Sequence, residues 1–193
     1  MDTLPLTTAL ISTGTVALAE IGDKTQLLAL LLAARFRKPW PIVAGILVAT
    51  LLNHALAAGL GARGAAWLDP AALRWLVAAS FLAVAAWTLK PDKLDARDEH
   101  LPARGAFITT TVAFFIAEIG DKTQVATVLL AVRYHPLWEV IAGTTAGMLL
   151  ASVPVVMLGS RFADRLPLRA ARYVAAAVFL GLAIWVALRG LGG

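Results

Sequence analysis

The chain has 193 residues, 60% hydrophobic and only 15% charged, with a mean hydropathy of +0.78 and a formal charge of +5. So little polar sequence leaves no room for a sizeable aqueous domain, and the basic residues cluster at the ends of apolar runs, where membrane anchoring accounts for them without nucleic acid. No cysteine is present, which excludes disulfides, thiolate metal ligands and thiol redox chemistry together.

The first apolar run, Leu4 to Ala34, begins within "MDTLPL", which has no basic segment, and is too long for a signal-peptide core. It is expected to stay in the protein. Trp40 to Ala62 and Ala71 to Leu89 complete a first group of three. Next comes the one strongly polar stretch, Lys90 to Arg104. Its Asp92, Asp95, Asp98, Glu99 and His100 mix with basic residues, so it reads as a solvated cytoplasmic linker rather than a cation-collecting loop. Gly105 to Val132, Leu137 to Ser160 and Ala170 to Leu188 form a second group. Each run is near or above the ~20 residues that a helix needs to cross the hydrocarbon core. None shows the alternation of barrel strands. The expected fold is therefore an all-α integral membrane protein with six transmembrane helices, not an enzyme and without a cofactor.

Basic residues set the expected orientation. Arg35, Arg37, Lys38, Lys90, Lys93, Arg97, Arg104, Arg161, Arg165, Arg169 and Arg172 fall on one side, eleven in all, against Arg63, Arg74, Arg133 and Arg189 on the other. The positive-inside rule then places both termini outside the cytoplasm. Trp40, Trp67, Trp138 and Tyr134 stand near the run ends, as interfacial anchors do.

The octapeptide AEIGDKTQ occurs at Ala19 to Gln26 and again 98 residues further on, at Ala117 to Gln124. The same offset superposes Gly45 on Gly143, Gly61 on Gly159, Arg63 on Arg161, Arg74 on Arg172 and Trp87 on Trp185 without a gap. Residues 1–89 and 105–193 are thus two three-helix repeats joined by 90–104. Because three is odd, the second copy enters the membrane from the opposite face, an inverted repeat of the kind that builds alternating-access transporters.

Each Asp, Lys or Arg at a membrane helix centre costs ~2.5 to 3.5 kcal/mol on insertion scales, so two copies of Glu, Asp and Lys cost on the order of 15 kcal/mol before pairing. On a continuous helix, Asp23 lies about 60° to one side of Glu20 and Lys24 about 40° to the other, with Gln26 extending the Asp23 side. The candidate cation ligands are accordingly Glu20, Asp23 and Gln26, with Glu118, Asp121 and Gln124 from the second copy. A purely structural alternative pairs Glu20 with Lys24 and Glu118 with Lys122 along each helix. It leaves Asp23 and Asp121 without partners, and buried ion pairs seldom repay their desolvation.

Four carboxylates and two ammoniums sum to minus two, the charge that one dication or two protons neutralises. Crowded carboxylates titrate as a coupled set, and these are expected to exchange a cation for protons. Oxygen ligands without Cys or His favour calcium, manganese or magnesium over zinc or copper. Asn53 and His54 on the second run are within reach of the site, but their counterparts are Ala151 and Ser152, and a lone His is more often packed against a neighbouring helix than a ligand. Gly22 and Gly120 interrupt the motif between Glu and Asp. They are compatible with close helix packing and equally with a break that frees carbonyl ligands.

"EIGDKT" at Glu20 to Thr25 and at Glu118 to Thr123 resembles the duplicated Glu-x-Gly-Asp-Lys/Arg-Thr/Ser motif of the Golgi-type cation/proton exchanger family. The resemblance covers the whole chain. It implies manganese or calcium transport against protons, with bacterial members mainly exporting manganese, and cation binding by Glu20, Asp23, Glu118 and Asp121. Thr25, Gln26, Thr123 and Gln124 are lesser members of that set. Without the extra N-terminal segment of eukaryotic members, the expected location is a bacterial inner membrane.

Three other readings compete. An exporter of small organic cations or amino acids shares the helix count, but four acidic groups suit a dication better. A passive divalent-cation channel is normally built from symmetric subunits rather than an internal repeat. A non-transporting structural protein would be stabilised by replacing Asp23 and Asp121 with Asn. The expected partners are a divalent ion, protons and the lipid bilayer. Gly45, Gly143 and Gly147 suit packing within one chain or in a homodimer.

Overall fold

The computed structural model describes residues 5–90, 105–159 and 168–190. The residues described are helical or in short connections, in eight helices and no strand: α1 (Pro5–Glu20), α2 (Lys24–Phe36), α3 (Pro39–Ala65), α4 (Pro70–Thr88), α5 (Ala106–Glu118), α6 (Lys122–Arg133), α7 (Leu137–Leu158) and α8 (Leu168–Arg189). Residues 91–104, most of the expected linker, and the loop at 160–167 lie outside the described residues.

Local chemistry places several of these boundaries. Pro39 and Pro70 open α3 and α4, where a missing N–H costs nothing and φ is already helical. Asp69 caps α4 by accepting from the N–H groups of Ala71 and Ala72 at 3.0 and 3.1 Å. α2 ends at Arg37, whose φ of 52° turns the chain and whose N–H returns to the Ala33 carbonyl.

The first and fourth apolar runs, which the sequence leaves open to a break at the motif, are each divided in two. The first run is α1 and α2, parted at residues 21–23, and the fourth is α5 and α6, parted at residues 119–121. Hence eight helices stand among the described residues where six membrane spans were expected. By length and composition, Pro39–Ala65, Pro70–Thr88, Leu137–Leu158 and Arg172–Arg189 are each able to cross a membrane, while Leu6–Glu20 and Ala106–Glu118 are shorter apolar helices. Large apolar side chains face outward, among them Leu10 at 68%, Trp75 at 60% and Leu188 at 75% exposure. Lipid is the solvent that such a surface requires.

The two halves interleave. α1 packs along α7, α3 along α5 and α6, and α4 along α8, so the principal contacts run between halves. Phe81 and its counterpart Phe179 stack on one another, ring centroids 6.3 Å apart. Gly143 lets α1 approach α7 closely: a Cβ there would lie 2.5 Å from the Ala9 carbonyl oxygen. Gly45 plays the matching part between α3 and α5, where a Cβ would meet Thr110 at 2.8 Å. Both glycines, and Gly147 against Thr13 and Ala17, are therefore used within the chain.

Candidate cation site at the two helix breaks

The Gly22 and Gly120 backbones adopt φ of 80° and 73°, a left-handed region that costs an L side chain roughly 1–2 kcal/mol. Each turn is closed by a backbone bond, Asp23 N–H to Glu20 carbonyl at 3.0 Å and Asp121 N–H to Glu118 carbonyl at 3.1 Å. Glutamine finishes the turn. The Gln26 Oε1 accepts the Gly22 N–H at 2.9 Å, and the Gln124 Oε1 accepts the Gly120 N–H at 2.8 Å. Their amide nitrogens donate across to the Ala151 carbonyl at 3.1 Å and to Asn53 Oδ1 at 3.4 Å.

Asp23 and Asp121 occupy the N-cap positions of α2 and α6, yet neither side chain makes a capping bond. Both carboxylates instead face the opposite motif. Lys122 Nζ lies 2.5 Å from Asp23 Oδ1, and Lys24 Nζ lies 3.8 Å from Asp121 Oδ1. The structural alternative of pairs along each helix, Glu20 with Lys24 and Glu118 with Lys122, is thus not what forms; the aspartates and lysines pair crosswise. The break is the cause, because it removes the continuous helix face on which that pairing depended.

Glu20, Asp23 and Asp121 are buried, and each offers a carboxylate oxygen within 4.8 Å of the other two. Thr25 donates to Glu20 in a short hydrogen bond and reaches Asp23 Oδ2 at 3.2 Å. Glu118 is buried as well, but stands outside this triad. Its Oε1 accepts from Thr50 Oγ1 at 2.6 Å, and its Oε2 faces His54 Nε2 at 4.0 Å. The structure therefore brings three of the four carboxylates together and turns the fourth toward α3.

Thr50 was missed by sequence reasoning. Its counterpart is Met148, so the repeat gave no signal there, and only the crossing of α3 over α5 reveals its role.

A helical bundle coated in apolar side chains, with acidic groups gathered at two helix breaks in its interior, defines a membrane transporter of cations. Comparison with known proteins makes the class specific. The family model "Divalent cation/proton antiporter GDT1" matches residues 8–96 and 106–193, and the chain belongs to that family. A Vibrio cholerae protein named "Putative manganese exporter" is 57% identical over 175 residues, covering 90% of this chain and 87% of the relative. A GDT1-like protein of Synechocystis is 26% identical over 175 residues, covering 78% and 82%. The rice GDT1-like protein 3 is 26% identical over 195 residues, covering 88% of this chain and 69% of its own. No solved structure matches.

Proposed function

We propose that this chain is a secondary active transporter that exports a divalent cation, manganese or calcium, in exchange for protons. The carrying observation is the buried triad of Glu20, Asp23 and Asp121, drawn from both motifs, with ligand oxygens close enough to share one ion. Glu118 is the fourth carboxylate of the proposed site. Gln26 and Gln124 flank it, each amide oxygen keeping a second lone pair beyond the glycine N–H that it accepts.

The crosswise pairs sharpen the charge argument. Lys122 cancels Asp23 and Lys24 cancels Asp121, which leaves Glu20 and Glu118 as two uncompensated carboxylates. One dication or two protons neutralise that remainder, and a neutral core changes its access at least cost. In the return step the lysines hold the aspartates that the cation has left.

In this reading α1–α2 and α5–α6 each act as one broken membrane span, so that six spans form two inverted repeats, residues 1–89 and 105–193, with the linker 90–104 in the cytoplasm. Both termini lie outside the cytoplasm and the membrane is a bacterial inner membrane. The reciprocal pairing of Asp23 with Lys122 and of Asp121 with Lys24 supports this two-fold relationship.

The test is uptake of manganese and of calcium by proteoliposomes across an imposed pH gradient. Uptake should follow the gradient, with protons moving oppositely, and Glu20→Gln should abolish it. Flux that ignores the gradient would point to a channel and overturn the exchange.

A further inference from the structure

His54 is the least explained polar group in the core. Its side chain is fully buried, and neither ring nitrogen has a hydrogen-bond partner. The Glu118 Oε2 that it faces is also buried and without a hydrogen-bond partner. The gap of 4.0 Å between Nε2 and Oε2 is too long for a hydrogen bond. A carboxylate oxygen and an imidazole without partners in a dry interior are expensive, and with the proton on Nδ1 the ring offers Nε2 as a lone pair facing Oε2, so that a cation between them would satisfy both. Metal–ligand bonds of about 2.0–2.2 Å let one ion bridge atoms up to about 4.4 Å apart, so the gap is within reach of a single dication.

The surrounding contacts hold this arrangement. Thr50 Oγ1 engages Glu118 Oε1, which turns the other oxygen toward the imidazole. Asn53, one residue before His54, donates to the Phe115 carbonyl at 3.0 Å and so ties α3 to the turn of α5 that carries Glu118. None of this recurs in the other half. The counterparts of Thr50, Asn53 and His54 are Met148, Ala151 and Ser152, and Ser152 Oγ lies 3.6 Å from Met148 Sδ. Nitrogen is therefore offered at Glu118 and not at Glu20.

We propose that His54 and Glu118 form a second, nitrogen-bearing station for the transported ion, beside the all-oxygen triad, and that His54 makes the protein prefer a transition dication such as manganese over calcium or magnesium. The ligand chemistry carries the preference. Calcium and magnesium take oxygen ligands and gain little from an imidazole, whereas the first-row transition ions accept nitrogen, manganese the most weakly of the series. The inference rests on the cation-transport reading above and names the class of ion within it.

Two measurements test it. Manganese alone is added to the purified full chain carrying H100Q and H135Q, which leaves His54 as the sole histidine, and pulsed electron paramagnetic resonance records nitrogen coupling to the metal. Coupling that changes with ¹⁵N-histidine labelling is expected, and bound manganese without it would overturn the proposal. In proteoliposomes, His54→Gln should lower the ratio of manganese to calcium uptake by about tenfold or more while calcium flux persists. An unchanged ratio would overturn the selectivity role. Wild-type protein that carries neither ion would instead overturn the transport reading, and the resonance signal would still decide whether His54 binds manganese.

Discussion

Lys122 Nζ lies 2.5 Å from Asp23 Oδ1, so the ammonium of the second motif neutralises a carboxylate of the first. Both side chains are almost completely buried. Removing one partner of such a pair leaves an uncompensated charge and typically costs about 3–5 kcal/mol. Lys122→Met should therefore lower the thermal unfolding midpoint in detergent markedly, and Asp23→Asn added to it should recover part of the loss. Lys24→Met should cost less, because that side chain is 22% exposed and sits 3.8 Å from Asp121.

Gly143→Ala should separate α1 from α7. The new Cβ would fall 2.5 Å from the Ala9 carbonyl oxygen, and backbone cannot yield as a flexible side-chain end does, so about 1–3 kcal/mol of overpacking is expected. Gly14→Ala is the control. It lies inside α1 with nothing within 4 Å of the added carbon, and should be neutral or slightly stabilising. Unfolding midpoints of the two variants should move in opposite directions or differ clearly in size.

At the first helix break, Gly22→Ala places a side chain at a φ of 80°, at a cost of about 1–2 kcal/mol. Gln26→Leu attacks the same turn from the other side by removing the acceptor of the Gly22 N–H. Both variants should slow cation uptake in proteoliposomes as well as lower stability, since the turn sets the position of Asp23. Wild-type uptake rates in either would show that the turn does not govern the site.

Thr50→Val deletes the donor to Glu118 Oε1 with little change of shape. Side-chain hydrogen bonds between membrane helices average about 0.6 kcal/mol and reach about 1.7. A small loss of stability with a larger loss of transport is expected, and Thr50→Ser, which keeps the hydroxyl, should restore both.

Much of this architecture is legible in the sequence because lipid imposes simple rules. Apolar runs near the span length located α3, α4, α7 and α8 within a few residues. The breaks were not decided. Glycine between Glu20 and Asp23 is as compatible with close packing as with a left-handed turn, and only the backbone distinguishes them. Nor was the crosswise pairing visible. Lys24 stands four residues from Glu20, which on an unbroken helix is the natural partner, so local geometry favoured a pair that the turn abolishes. The Glu118 environment was only half legible: His54 drew attention as a lone histidine weighed against packing, whereas Thr50 belongs to another helix and has Met148 as its counterpart.

The interleaving of α1 with α7 and of α3 with α5 has a consequence for biosynthesis. At about 5–20 residues per second, the second motif follows the first off the ribosome by about 5–20 s. Throughout that interval Asp23 and Lys24 are in the nascent chain while Lys122 and Asp121 do not yet exist. The first half therefore waits beside the translocon with its charges unmatched and its helices without their principal neighbours. The close contacts between the halves therefore form only when the second copy arrives.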